Sequence, residues 1–200
     1  MSSENTMSLE NPFNVFKHWF EKAQQHAHVK YPDAMNLATV SAAGQPSNRT
    51  VLLKHWDEAG FVFYTNLTSR KGGEISANGK VSVCFHWDAM DVQIRIEGVC
   101  AQVDDAQADI YFDSRPMQSR VGAWASKQSQ PLASHAHLLK RVAKQSLKLP
   151  LGKMHRPDFW SGFRIVPHRI EFMQMKDYRL HERREFKLID GHWVNGLLYP

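Results

Sequence analysis

The chain has 200 residues, of which 42% are hydrophobic and 22% are charged, a composition that is typical of soluble globular proteins and excludes a disordered chain. Every apolar run is shorter than the roughly 20 residues that a membrane-spanning helix needs. The net charge of +5 and the isoelectric point near 9.2 favour an anionic partner, which at this point is nucleic acid, a phosphorylated metabolite or a phosphate-bearing cofactor.

The N-terminus and the cysteines indicate the cellular compartment. The first residues, MSSENTMSLENPF, contain neither the basic region nor the apolar region of a secretory signal. Cys84 and Cys100 lie in strand-like apolar stretches and do not form the pattern of a disulfide framework. We therefore expect a cytoplasmic protein with reduced thiols.

The N-terminal half of the chain is predicted to form one helix followed by short strands. Asn11 can cap a helix whose first residue is Pro12, and apolar residues recur at helical spacing from Phe13 to Ala23. The pattern then changes to the β-rich runs MNLATVS, RTVLLKHW, GFVFYTN and KVSVCFHW, which are separated by turn residues. A short helix over residues 70–77 interrupts these strands.

The C-terminal half is predicted to return to strands after a helical region. The long strand DVQIRIEGVCAQV is followed by residues 104–147, which are helical in character with breaks at Pro116 and around SQPLAS. The strands FRIVPHRIEFMQM and RREFKLI come next, and an Asp190–Gly191 turn leads to a last strand. The pattern predicts a mainly β fold with helices (α+β), built as one barrel-like domain over residues 1–200 with residues 1–10 as a flexible tail.

The stretch SRKGGE is a first candidate anion site. Ser69 can cap a helix, and the free N–H groups of a helix N-terminus bind phosphate well. Arg70 and Lys71 would add two full charges beside that end. A basic turn exposed to solvent explains the same residues.

The stretch DIYFDSRPMQSRVGAW is a second candidate. Tyr111 and Arg115 are four residues apart, so one helix would place them on the same face. Pro116 can open a further helix and leave N–H groups free around Ser119. These groups could hold one phosphate, and the alternative is a capped helix–turn–helix with Arg115 in solvent.

The stretch YRLHERREF is a third candidate. On an extended strand Arg179, His181 and Arg183 share one face, which would suit an anionic ligand that exchanges protons. The alternative is an exposed edge strand that is protected by its charges. We expect no metal site, because His135 and His137 would face different ways on a helix and no ligand cluster lies nearby.

Taken together, these stretches resemble the pyridoxamine (pyridoxine) 5′-phosphate oxidase family, from about residue 12 to the C-terminus. The resemblance rests on RTVLLK, GFVFYTN, SRKG, QIRIEG, YFDSRP, GAWASKQS and RLHERREF, in the family's order and spacing. It implies a split β-barrel that binds FMN and forms a homodimer, with FMN at the interface and in contact with both chains.

The resemblance also implies roles for individual residues. The positions that match flavin-contacting residues are Arg49, Thr50, Val51, Leu52, Tyr64, Thr65, Arg70, Lys71, Gln93, Gln128, Ser129, Met173 and Arg183. The positions that match the grip on the substrate's 5′-phosphate are Lys54, Tyr111, Arg115 and Ser119. Arg179 and His181 match the catalytic residues that lie over the pyridine ring of the substrate.

The implied reaction belongs to vitamin B6 salvage. Pyridoxamine 5′-phosphate or pyridoxine 5′-phosphate would be oxidised to pyridoxal 5′-phosphate by hydride transfer from C4′ to the flavin. Dioxygen would reoxidise the flavin and give hydrogen peroxide. The protein would contribute positioning and electrostatics, with Arg179 and His181 orienting the ring. Under this reading the partners include neither nucleic acid nor a membrane.

The chain departs from the family pattern at several positions. Met173 stands where the family has a tryptophan against the flavin, and Val92 and Leu197 stand where it has arginines. Gly73 stands where a larger residue is common. One alternative is therefore an FMN oxidase of another small aromatic, as in phenazine biosynthesis, although the YFDSRP segment favours a phosphorylated substrate. The other alternative is a non-catalytic nucleic-acid-binding protein, but the aromatic residues fall mostly at core-like periodic positions.

Overall fold

The computed structural model describes residues 11–148 and 154–200. The predicted flexible tail, residues 1–10, lies outside the described residues. The helices are α1 (Pro12–Gln25), α2 (Arg70–Ala77), α3 (Asp105–Ser114), α4 (Met117–Ala125) and α5 (His135–Lys148). The strands are β1 (Ala34–Val40), β2 (Pro46–Leu52), β3 (His55–Asp57), β4 (Gly60–Asn66), β5 (Lys80–Trp87), β6 (Val92–Gln102), β7 (Trp160–Gln174), β8 (Glu182–Ile189) and β9 (His192–Leu198).

These strands form one antiparallel sheet in the order β2-β1-β5-β6-β7-β4-β3, with β8 paired to β7 and β9 paired to β8. The first residues of β7 pair with β4, and its last residues pair with β8. A bulge between Glu97 and Gly98 bends β6 beside this branch. A side chain at Gly98 would place its Cβ 2.3 Å from the carbonyl oxygen of Val166, so glycine permits the close approach. The predicted α+β class with a curled, barrel-like sheet is confirmed.

Helix α1 closes one side of the main core. Asn11 caps it by accepting a hydrogen bond of 2.9 Å from the backbone N–H of Phe13, and Pro12 occupies the first turn, as the sequence predicts. The ring of Phe16 is fully buried and lies 4.9 Å from the ring of Phe61 and 5.4 Å from that of Phe85. Burial of one such side chain contributes about 1.5–3 kcal/mol, which anchors the helix to the sheet.

A smaller core lies under helices α3 and α4. Phe112, Val121, Met154 and Trp160 form its buried centre. Because Phe112 comes from α3, Val121 from α4 and Trp160 from β7, this cluster fixes both helices against the sheet beside strand β4. The positions of α3 and α4 in turn determine the walls of the candidate site described below.

The predicted strand RTVLLKHW is wrong as a single strand. Strand β2 ends at Leu52, and β3 begins only at His55. Between them the N–H of Leu53 donates to Asp33 and the N–H of Lys54 donates to Val62. The chain therefore stops pairing with β1 and starts pairing with β4 at this point. A local sequence pattern does not show such a change of pairing partner.

Every helix within residues 11–148 and 154–200 is too short or too polar to span a membrane.

Candidate functional site

A cleft of about 830 Å³ opens between strands β2 and β4 and helices α2, α3 and α4. Its walls include most of the residues that the family resemblance implies, namely Arg49, Thr50, Val51, Leu52, Lys54, Tyr64, Thr65, Arg70, Lys71, Tyr111, Arg115, Ser119, Gln128 and Ser129. The fold therefore brings the SRKGGE and YFDSRP stretches into one cavity, although about 40 residues separate them in the chain.

Lys71 is a buried cation at one end of this cleft. Its residue is 8% exposed, and its Nζ donates to Thr65 Oγ1 at 3.1 Å and to Gln128 Oε1 at 3.0 Å. Among the described residues no carboxylate pairs with it. Burial, and then the charge of Arg49, lowers the pKa of Lys71. Because a buried charge is costly without a counterion, this lysine marks a place for an anion.

Two arginines beside Lys71 share one carboxylate. Glu74 accepts from Arg70 Nε at 2.8 Å through one oxygen and from Arg49 Nη2 at 3.2 Å through the other. Burial alone would raise the pKa of Glu74, but hydrogen bonds from Ser47, Thr39 and both arginines lower it to about 2. The cluster thus holds three cations against one carboxylate. The excess of two positive charges matches a phosphate monoester.

The first turn of helix α2 builds this cluster as the sequence predicts. Ser69 is the N-cap, and its hydroxyl accepts from the N–H of Gly72 at 3.3 Å. Arg70 and Lys71 follow as the first helical residues. The positive end of the helix dipole therefore adds to the charge of their side chains.

Arg115 lies at the other end of the cleft, and no carboxylate of the described residues pairs with it. Its guanidinium carbon is 4.7 Å from the centre of the Trp160 ring and 5.7 Å from that of Phe112. Its buried Nη1 has no hydrogen-bond acceptor within residues 11–148 and 154–200, and burial lowers the pKa of Arg115. Lys54, in the same wall, pairs with Asp33 at 2.9 Å. The cleft therefore has a second cationic end.

Two details of this end differ from the sequence-based expectation. Arg115 does not share a helix face with Tyr111, because α3 ends at Ser114 and Arg115 is its extended C-cap residue. The following Pro116 disfavours helical geometry at Arg115. The N–H of Ser119 is not free either, since it donates to the carbonyl of Pro116 at 2.9 Å. Both residues still line the cleft.

Three aromatic rings connect the two ends. The rings of Tyr64 and Tyr111 are stacked with centroids 3.9 Å apart, and that of Trp160 is nearly parallel to both, at 5.4 Å and 6.1 Å. A Cβ at position 162 would lie 2.8 Å from the Tyr64 ring, so Gly162 makes room for it. The sequence analysis missed Trp160 and Glu74. Gly162, two residues after Trp160, could have indicated this region, because a glycine inside a strand often marks a place where another group packs closely against the backbone.

The remaining predicted residues lie elsewhere. Met173, His181 and Arg183 line a second cleft of about 520 Å³ that shares no lining residue with the first. Val92 and Leu197, two of the departures from the family pattern, line it as well. The walls of the second cleft are completed by Val15, Trp19, Phe172, Gln174, Glu182, Arg184 and Leu198.

Gln93 and Arg179 line neither cleft. Gln93 is the sheet partner of Met173 and therefore lies beside the second cleft. Arg183 is fixed by Glu171, which accepts from its Nε at 2.9 Å, and by the carbonyl of Tyr199, which accepts from its Nη1 at 2.9 Å. Glu171 is 1% exposed.

The prediction that Arg179, His181 and Arg183 share one strand face is wrong. Residues 177–179 form a 3-10 turn, and β8 begins only at Glu182. Tyr178 and Arg179 have left-handed φ values of 57° and 62°, so the chain turns sharply here. His181 accepts a hydrogen bond at Nδ1 from the N–H of Lys176 at 3.1 Å.

No group of three potential metal ligands occurs in the part of the chain that the structure describes.

Comparisons with known proteins agree over nearly the whole chain. Residues 21–147 match the family described as pyridoxamine 5′-phosphate oxidase, and residues 160–200 match the pyridoxine 5′-phosphate oxidase C-terminal dimerisation region. A pyridoxine/pyridoxamine 5′-phosphate oxidase of Novosphingobium aromaticivorans is 49% identical, with 100% of both chains covered. One from Caulobacter vibrioides is 48% identical over 97% of this chain and 87% of the relative.

Solved structures are similar as well. PhzG from Burkholderia lata, in complex with tetrahydrophenazine-1-carboxylic acid, has a TM-score of 0.91 and 28% identity, with 100% of this chain and 98% of that one covered. An FMN-binding protein of Nostoc punctiforme has a TM-score of 0.76 at 16% identity, over 97% and 100% of the chains, and supports the fold alone. With the two family matches and relatives that are nearly half identical, the chain belongs to the pyridoxamine 5′-phosphate oxidase family.

Proposed function

We propose that the protein oxidises pyridoxamine 5′-phosphate and pyridoxine 5′-phosphate to pyridoxal 5′-phosphate, with FMN as cofactor and dioxygen as acceptor. The observation that carries the proposal is one cleft with two groups of cations in its walls: Arg49, Arg70 and Lys71 form the first cationic end, and Lys54 and Arg115 form the second. Lys71 at one end is buried and Arg115 at the other is half-buried with a buried Nη1, and among the described residues neither has a carboxylate partner. A flavin phosphate and a substrate phosphate would supply the two missing counterions.

The residues of the first cationic end fit FMN. Arg49, Arg70 and Lys71 would hold its phosphate, because they carry the excess positive charge. Thr50, Val51, Leu52, Tyr64, Thr65, Gln128 and Ser129 would contact the remainder, since they line the same cleft. A bound FMN would supply the hydride acceptor for the C4′ of the substrate and the route for two electrons to dioxygen, which would give hydrogen peroxide.

The residues of the second cationic end fit the substrate. Lys54, Tyr111, Arg115 and Ser119 would hold its 5′-phosphate. Arg115 can bind two phosphate oxygens at once with its guanidinium, and the hydroxyls of Tyr111 and Ser119 can donate one hydrogen bond each. Holding the phosphate fixes the position of the reacting carbon, which is a large part of what an enzyme of this kind contributes.

A second copy of the chain would complete the site. Met173, His181 and Arg183 lie in the second cleft, with Gln93 beside it, so one protomer does not place them against the first. In a two-fold symmetric dimer each second cleft can face the first cleft of the partner. Arg179 and His181 would then orient the substrate ring. The match of residues 160–200 to a dimerisation region supports this arrangement.

A second candidate is an oxidase of another small aromatic compound. It is favoured by the TM-score of 0.91 to PhzG and by Met173, Val92 and Leu197, which change the walls of the second cleft. The Arg115 guanidinium argues for a substrate with an anionic group, and its planar fork fits two oxygens of a phosphate, because a substrate without an anion would leave its charge uncompensated.

The substitution Arg115→Ala separates the two candidates. For pyridoxine 5′-phosphate we expect kcat/KM to fall roughly 30- to 1000-fold, about 2–4 kcal/mol in transition-state binding. For pyridoxine, which lacks the phosphate, the value should change little. The FMN content of the purified protein, measured by absorbance, should stay near that of the wild type.

Arg120→Ala is the control, since Arg120 lies in the first turn of α4 beside Ser119 and pairs with Asp113 at 3.7 Å, but does not line the cleft. It should leave the preference for the phosphorylated substrate intact. An equal loss on both substrates in Arg115→Ala would contradict the phosphate clamp and favour the second candidate.

A further inference from the structure

The cations of the cleft are held in three different ways. Lys71 donates to the neutral oxygens of Thr65, Ser69 and Gln128. Arg70 and Arg49 are paired with Glu74, and Lys54 is paired with Asp33. Arg115 instead lies over the faces of Trp160 and Phe112, and its buried Nη1 has no acceptor in the part of the chain that the structure describes. An aromatic face attracts a cation but does not neutralise it, so the charge of Arg115 stays available.

Trp160 is held rigidly enough to act as a platform. It is 5% exposed and is the sheet partner of Asn66. Its carbonyl accepts from Arg156 Nη1 at 2.8 Å, and its N–H donates to Pro157 at 2.9 Å. The edge of the Phe112 ring packs against its indole at 5.1 Å. The indole of Trp160 therefore has little freedom to move, and it can support the Arg115 side chain in one position.

The same indole aligns a second residue of this end. The Tyr111 ring is parallel to it within 6°, with centroids 6.1 Å apart, and the Tyr64 ring stacks with both, at 3.9 Å from Tyr111 and 5.4 Å from Trp160. Trp160 itself lines the cleft. Arg115 and Tyr111, which come from the end and the middle of α3, are thus both packed on one side chain of β7.

We propose that Trp160 is a positioning residue for the substrate phosphate: its indole face holds the Arg115 guanidinium in the cleft without neutralising it. The proposal rests on the function proposed above. A carboxylate in the place of the indole would fix the arginine equally well, but it would compete with the phosphate for the same charge. The aromatic platform avoids that competition.

The test compares Trp160→Leu, Trp160→Phe and wild type, all loaded with FMN. In Trp160→Leu we expect kcat/KM for pyridoxine 5′-phosphate to fall about 10- to 100-fold, mainly through KM, while the value for pyridoxine changes less than about 2-fold. Trp160→Phe keeps a π-face and should recover much of the loss. Calorimetry should show the same selective weakening for pyridoxal 5′-phosphate relative to pyridoxal.

A double-mutant cycle with Arg115→Ala tests whether Trp160 acts through the arginine. If it does, adding Trp160→Leu to Arg115→Ala should cost little further activity on pyridoxine 5′-phosphate. Additive losses would overturn the proposal. So would an equal fall of the rates on phosphorylated and free substrates in Trp160→Leu.

Trp124→Leu is the matched control. Trp124 packs in the same cluster through Phe159, and its Nε1 donates to His155, but it does not line the cleft. It should lower stability without changing the preference for phosphate, and a changed preference here would count against a specific role of Trp160. A wild-type protein that fails to prefer phosphorylated substrates would refute the proposed function itself, which keeps the two failures distinct.

Discussion

Glu74 combines burial with full ionisation. It is 7% exposed, and although burial opposes it, the hydrogen bonds from Ser47, Thr39 and the two arginines hold its pKa at about 2, below the ordinary 4.5. Because the folded-state pKa is the lower one, the carboxylate stabilises the fold fully above its unfolded-state pKa. This contribution is lost as the pH falls from 4.5 towards 2.

We therefore expect Glu74→Gln to lower the free energy of unfolding at neutral pH by about 1–3 kcal/mol. It should also reduce the further loss of stability on acidification. Urea denaturation at about pH 7 and about pH 3 measures both effects. Glu21→Gln, which removes an exposed pair with Lys17, should change stability little. The same acid sensitivity in wild type and Glu74→Gln would show that the carboxylate is not the group responsible.

Substitution of Arg70 and Lys71 tests the proposed binding site for the flavin phosphate. Replacing both with alanine should weaken FMN binding by several kcal/mol, at about 1.5–3 kcal/mol for each charged hydrogen bond. Riboflavin, which has no phosphate, should bind weakly and almost equally to the wild type and the variant. Quenching of flavin fluorescence gives both affinities. Lys80→Ala, at an exposed position, is the control, and similar affinities of the wild type for FMN and riboflavin would refute the site.

At the scale of elements, the start of helix α2 depends on one of its two adjacent glycines. A Cβ on Gly72 would lie 2.2 Å from the carbonyl oxygen of Leu67, whereas one on Gly73 would meet nothing within 4 Å. The helix can therefore approach the preceding turn closely only with glycine at position 72. Position 73 merely tolerates it.

Gly72→Ala should accordingly destabilise the protein by about 1–3 kcal/mol through overpacking and should weaken FMN binding, because the turn that carries Lys71 must shift. Gly73→Ala should stabilise it by about 0.4–1 kcal/mol, since alanine restricts the unfolded chain and favours the helix. Thermal denaturation of the two variants provides the comparison. Equal changes of the melting temperature would contradict the close contact at Gly72.

Elements with local signals could be predicted from the sequence. The cap at Asn11 and the helix from Arg70 depend on residues within one turn, and both were placed correctly. The break between β2 and β3 was missed because it depends on distant partners at Asp33 and Val62. The turn at Arg179 was missed because its left-handed backbone carries no glycine as a marker.

The same distinction applies to the candidate site. The stretches SRKGGE and YFDSRP could be chosen from the sequence, because they place charges beside helix ends. That Arg115 would lie on Trp160 and that Arg49 would share Glu74 with Arg70 could not, since those contacts join separate strands and helices. The sequence shows which residues are charged. It does not show which aromatic rings or carboxylates will contact them in the folded protein.

At the scale of the whole molecule, the two clefts have a genetic consequence. They share no lining residue, so in the proposed dimer Arg115→Ala and His181→Ala would damage different halves of each site. Neither variant alone should support growth that depends on vitamin B6 salvage. Co-expressed, they should form mixed dimers in which one site combines two undamaged halves, and about a quarter of the wild-type activity should return. Two defective alleles would thus complement each other, and a failure to do so would mean that each chain works alone.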